Sequence, residues 1–138
     1  MPDAPLIKKS ETDFAVVSLE EDRIIRVMFK KKSEITEESF RKLFDVFQSM
    51  IEGVPYAYLY YAEDGSVTVT DDGRRFAKDE EFSFPKICNA VIVTNLAHKL
   101  IANFYLKFNK PNYPFKVFSK KEDALKWCRQ QQNKATTV

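Results

Sequence analysis

The sequence predicts an α/β domain with the order β-β-α-β-α-β-α-β-α, built on a mixed, mostly parallel sheet with helices packed on it. Three observations carry this prediction. Short β-branched or aromatic runs recur along the chain, among them "AVVSL", "IIRVMF", "YAYLYYA", "NAVIV" and "FKVF". Between the later runs, apolar residues return every three or four positions, the mark of one buried helix face. Strands that alternate with such helices are joined by crossovers, and crossovers produce parallel pairs.

Each element has its own signal. Residues 1–12 are polar and are expected to form a flexible N-terminus, with a single domain over 13–132 and a frayed tail at 133–138. Runs 14–19 and 24–29, joined by the polar turn 20–23, read as a hairpin. Thr36 suits a helix N-cap, with Glu37 and Glu38 in the first turn where the helix dipole favours acids. Phe40, Leu43, Phe44, Phe47 and Ile51 follow at helical spacing, and Gly53 with Pro55 closes that helix. "YAYLYYA" reads as a buried strand. "EDGS" makes a turn, and "VTVT" either extends the edge or adds a short strand. Thr70 can cap a second helix, "DDGRRFAKDEEF". "KICNAVIVT" is the central strand, after which Thr94 or Asn95 caps a third helix. Ala97, Leu100, Ile101, Phe104, Tyr105 and Phe108 share one stripe of that helix. Pro111 and Pro114 end it. "FKVF" is the last strand, and "SKKE" is a capping box that opens a final helix carrying Leu125, Trp127 and Cys128.

Composition narrows the function classes. The chain has 138 residues, 44% of them hydrophobic and 30% charged, which suits one globular domain. Three glycines leave almost no room for a glycine-rich phosphate loop. No apolar run approaches the roughly 20 residues of a membrane span. "MPDAPLIKKSETD" lacks the apolar region and cleavage site of a secretory signal, so a cytoplasmic location is expected. Cys88 and Cys128 are too few and too far apart in sequence to suggest a disulfide framework or a metal site. The net charge of +2 hides an asymmetry. Residues 1–81 hold twelve Lys/Arg against eighteen Asp/Glu, whereas residues 82–121 hold seven lysines and no acid. Such a split either polarises the surface or is neutralised where the halves interleave, and interleaving is the simpler expectation.

No enzyme motif emerges. Glu63, Asp64, Asp71 and Asp72 could ligate Mg²⁺, but capping and solubility select the same residues, so neither metal nor cofactor is expected. His98 has no nucleophile elbow to serve and no zinc spacing around it. Lysines interleaved with aromatics in "NFYLKFNKPNYPFKVF" could grip nucleic acid. Phe104, Tyr105 and Phe108 fall on the core stripe instead, which argues against that reading. Leu106 projects opposite the stripe, near Ala102 and Lys99, and offers a self-association or homodimer surface.

The order of elements resembles the STAS fold of sulfate-transporter and anti-sigma-factor-antagonist domains. It is most similar to small freestanding bacterial members of uncharacterised role. "AVIVTNLAHKLIAN" and "NFYLKFNKPNYPFKVFSKKEDALKW" carry the resemblance, which covers residues 14–130 in layout and 90–127 in motif. In the phospho-regulated antagonists a serine sits between an aspartate and a glycine at the start of the second helix. The matching stretch here is "VTDDGRRF", which puts Asp72 in the serine's place and one permanent negative charge at that position. The resemblance implies a non-catalytic, regulatory module that works by protein contact. Its docking region would be Thr70, Asp71, Asp72, Arg74 and Arg75, with Thr94, Asn95 and His98 nearby. The alternative is a small-ligand binder or enzyme that uses the crevice at the strand C-termini.

Overall fold

The computed structural model describes residues 6–51, 53–79, 85–94 and 113–136. Among these residues, eight strands and three helices follow in order: β1 (Leu6–Glu11), β2 (Ala15–Glu20), β3 (Ile24–Phe29), β4 (Glu34–Ile35), α1 (Glu37–Ile51), β5 (Tyr56–Ala62), β6 (Thr68–Val69), α2 (Asp71–Asp79), β7 (Lys86–Ile92), β8 (Phe115–Phe118) and α3 (Lys121–Thr136). Six strands form one sheet in the order β1-β2-β3-β5-β7-β8, while β4 and β6 form a small second pair. β1, β2 and β3 run antiparallel. Every pairing beyond the hairpin is parallel, as the crossovers require.

Two expectations change, and one falls outside the described residues. The N-terminus is not loose throughout, because Leu6–Glu11 forms an edge strand on β2. "LIKKSE" hides that role because its lysines break the apolar alternation, and lysines are what exposed edge strands use against aggregation. Lys8 further ties β1 to the end of α1, donating to the Met50 carbonyl at 3.3 Å. The last helix also continues to Thr136, past the expected limit at residue 132. The predicted third helix lies outside the described residues, together with Asn95, His98, Lys99, Ala102 and Leu106.

Alternation along the strands divides the core into two faces. Tyr56 and Tyr58 point to one side of β5, where Leu43, Phe47, Met50 and Ile51 of α1 cover them. Phe47 meets Tyr58 edge-on at 5.0 Å between ring centroids. Ala57 and Leu59 point to the other side, where they join Cys88, Ala90 and Phe118 beneath Ala124 and Cys128 of α3. Near that face sits one buried charge, Arg26, only 7% exposed. It pairs with Glu20 at 2.5 Å and Asp22 at 2.7 Å. Gln132 of α3 donates to the Asp22 carbonyl at 2.9 Å, so the hairpin turn is pinned to the last helix.

Candidate functional site: two adjoining helix starts

The short pair β4–β6 places two helix N-termini side by side. Glu34 pairs with Thr68 and Ile35 with Val69, and each strand runs through one threonine into a helix. Thr36 Oγ1 accepts the Ser39 N–H at 3.2 Å, and Ser39 Oγ accepts the Thr36 N–H at 3.1 Å. Thr70 Oγ1 accepts the Gly73 N–H at 3.1 Å. Both threonines therefore satisfy N–H groups that a helix start leaves open. The Thr70 N–H donates to the Ile35 carbonyl at 3.0 Å, locking the second start against the first.

Gly73 makes this approach possible. It is buried, and a Cβ there would lie 2.7 Å from the Ile35 carbonyl oxygen and 3.1 Å from the Thr36 carbonyl carbon. The glycine is needed for closeness between backbones, since its φ is not in the left-handed region.

Upon this fixed base stand exposed charges. Asp71, Asp72, Arg74 and Arg75 all face solvent. The Asp72 carboxyl is held below its ordinary range by the Thr70 hydroxyl first. Desolvation opposes this, and the backbone N–H groups of Asp72, Glu37 and Gly73 add smaller lowering contributions. The Asp72 charge thus lies beside both helix starts, where N–H groups and dipoles favour a negative charge. Arg74 donates to the Val69 carbonyl at 3.0 Å and lies 3.9 Å from Asp71. An exposed pair of that length contributes little stability and leaves the guanidinium available for exchange with a partner's acid.

A shallow groove of about 280 Å³ runs between α1 and α2, lined by Glu37, Arg41, Asp72, Arg75, Phe76 and Asp79. Phe76 stacks on Phe44 at 5.7 Å, and the Arg41 guanidinium lies 4.4 Å over the Phe76 ring. The floor is therefore apolar and the rim carries both signs of charge.

Thr94 lies elsewhere, in a second cleft of about 260 Å³ at the C-terminal ends of β5, β7 and β8. Tyr61, Asp64, Ile92, Ser119 and Lys121 help to line it, and the two clefts share no lining residue. Lys121 sits 5.6 Å over the Tyr61 ring. Asp64 is fully exposed, and its carboxyl is lowered chiefly by the Ser66 hydroxyl and N–H. Among the described residues, no group of three or more His, Cys, Asp or Glu side chains is placed to hold a metal ion. None of the described helices is long and apolar enough to cross a membrane.

The structure thus gathers Thr70, Asp71, Asp72, Arg74 and Arg75 and separates them from Thr94. It adds Thr36, Glu37 and Arg41 from the cap and first turns of α1, and Phe76 from α2. The signal was present as a repeated pattern: "EITEES" and "TVTDDG" each give a short strand, a threonine cap and two acids.

The chain matches the family model described as a domain of unknown function, DUF7793, over residues 17–132. No curated protein matches it. Among solved structures it is similar to an uncharacterised DUF3478-family protein with a SpoIIAA-like fold from Shewanella loihica PV-4. The TM-score is 0.55 at 14% identity, covering 93% of this chain and 98% of that one. This likeness establishes the STAS-like fold, as the order of elements implied. A protein of unknown function from Arthrobacter sp. FB24 also aligns, at 23% identity over 81% of this chain and 96% of that one. Its TM-score is 0.29, and it adds nothing to the fold assignment.

Proposed function

The chain belongs to the DUF7793 family, a domain of unknown function, and we propose that it acts as a non-catalytic regulatory module through protein–protein contact. The observation that carries this reading is the pair of locked helix starts beneath exposed Asp71, Asp72, Arg74 and Arg75. Rigid backbone under exchangeable charges suits recognition, because little ordering entropy is lost when a partner docks. Asp72 supplies a permanent anion where the phospho-regulated antagonists present a serine, so the surface would be constitutively charged rather than switched at that residue.

Affinity capture from the native cell tests the reading. Wild-type chain is compared with Asp71→Lys/Asp72→Lys and with Arg74→Glu/Arg75→Glu, each checked for native circular dichroism. A partner retained by wild type and lost by both folded variants supports contact at this face. Equal recovery by all three overturns it.

Ligand binding is the second reading, and its support is the cleft at the strand ends. Open α/β sheets bind small molecules at that position. Chemical-shift changes confined to Tyr61, Thr94, Ser119 and Lys121 during a metabolite screen would favour it over the contact module.

A further inference from the structure

Cys88 and Cys128 stand 40 positions apart in sequence, yet the fold brings them together. Cys88 lies in β7 and Cys128 in α3. Both are fully buried in the cluster beneath α3, and both are free thiols. Their neighbours there include Ala57, Ala90 and Ala124, small residues that let the helix lie close to the sheet. Both thiols thus lie in one buried cluster at the seam between β7 and α3. Their mutual interaction, with burial, pushes the Cys88 thiol up, while the same interaction and the Arg26 charge bring Cys128 down against burial and the Asp22 charge.

We propose that Cys88 and Cys128 form a redox pair, which a hydroperoxide converts to an intramolecular disulfide that fastens α3 to β7. The Cys128 thiolate attacks the terminal peroxide oxygen and the O–O bond breaks. With hydrogen peroxide, the hydroxide that leaves takes up a proton as water, and Cys128 becomes a sulfenic acid. The Cys88 sulfur then attacks the Cys128 sulfur, its proton leaves with the sulfenic oxygen as a second water, and the S–S bond forms. Two thiols and one peroxide become one disulfide and two waters.

Burial does not forbid this chemistry, because it sets where the reaction begins. Of the described α3 side chains, Ala124 and Cys128 alone are fully buried. A local opening of α3 from β7 would expose both thiols together, and the peroxide would react with that open state. The disulfide would then remove that opening, recording an oxidation as a stiffened C-terminal helix.

The test uses the full chain treated with hydrogen peroxide at neutral pH, then alkylated under denaturing conditions and weighed intact. The expected product is a monomer that takes up no alkyl group and weighs about two mass units less, reversibly with dithiothreitol. Peptide mapping of the wild type should show Cys88 linked to Cys128. Cys88→Ala should leave a dimedone-reactive sulfenic acid at Cys128. Oxidised chain should show amide exchange in α3 slowed about tenfold or more, the scale of constraint a disulfide supplies. Two alkylatable thiols after treatment, or disulfides only between chains, would overturn the proposal without touching the contact reading.

Discussion

The two faces of the six-stranded sheet are covered by helices of similar length, yet by different means. On one face α1 inserts Leu43, Phe47, Met50 and Ile51 against Tyr56 and Tyr58. On the other, α3 lays Ala124 and Cys128 onto Ala57, Cys88 and Ala90, with Leu125 and Trp127 only partly buried at its margins. Burying a large apolar side chain stabilises by about 1.5–3 kcal/mol, so among the described residues α1 contributes more fully buried apolar surface than α3. The difference teaches where rigidity and change are placed. The locked helix starts grow out of the heavy face, and the thiol pair lies under the light one.

Phe47→Ala should cause the largest loss, about 3–5 kcal/mol in urea denaturation, because it opens a cavity against Tyr58. Cys128→Ala, its counterpart on the light face, should cost about 1 kcal/mol. Equal losses would abolish the contrast between the faces. Next comes Arg26→Ala, expected to cost about 3 kcal/mol by leaving Glu20 and Asp22 without their cation. A smaller loss, about 1–3 kcal/mol, is expected for Gly73→Ala, since its methyl group would strike the Ile35 carbonyl. That variant should also lower partner capture, which Cys128→Ala should leave unchanged.

The smallest expected effect is in the acid response. Burial alone would raise the Asp22 carboxyl, but the Arg26 hydrogen bonds and charge, the Ile24 N–H and Arg129 bring it below its usual range. A carboxyl lowered by folding stabilises the fold above its unfolded pKa of about 3.9, and this contribution fades as pH falls through the folded value. Asp22→Asn should therefore flatten the stability profile below about pH 4. An unchanged profile would remove Asp22 from the account.

Much of this was legible in the sequence. Periodicity located the hairpin, α1, β5, β7 and β8, because each buries a regular apolar pattern. Thr36 and Thr70 announced their helices, because a cap is a local interaction between residues three apart. β1 escaped notice because its pairing with β2 is made by backbone groups that any side chain permits. Arg26 escaped because a charge in "IIRVMF" looks like the solvent side of a strand until Glu20 and Asp22 are folded around it. The meeting of Asp72 with Glu37 on one groove, and of Cys88 with Cys128 in one cluster, depends on tertiary contacts that no spacing encodes.

We place the working surface at the two adjoining helix starts. Amide hydrogen exchange of the chain with and without its captured partner tests it most directly. Exchange should slow at residues 34–41 and 68–79, with no change at 92–94 or in α3. Protection confined to residues 92–94 and the start of α3 would contradict it and move the working surface to the strand-end cleft.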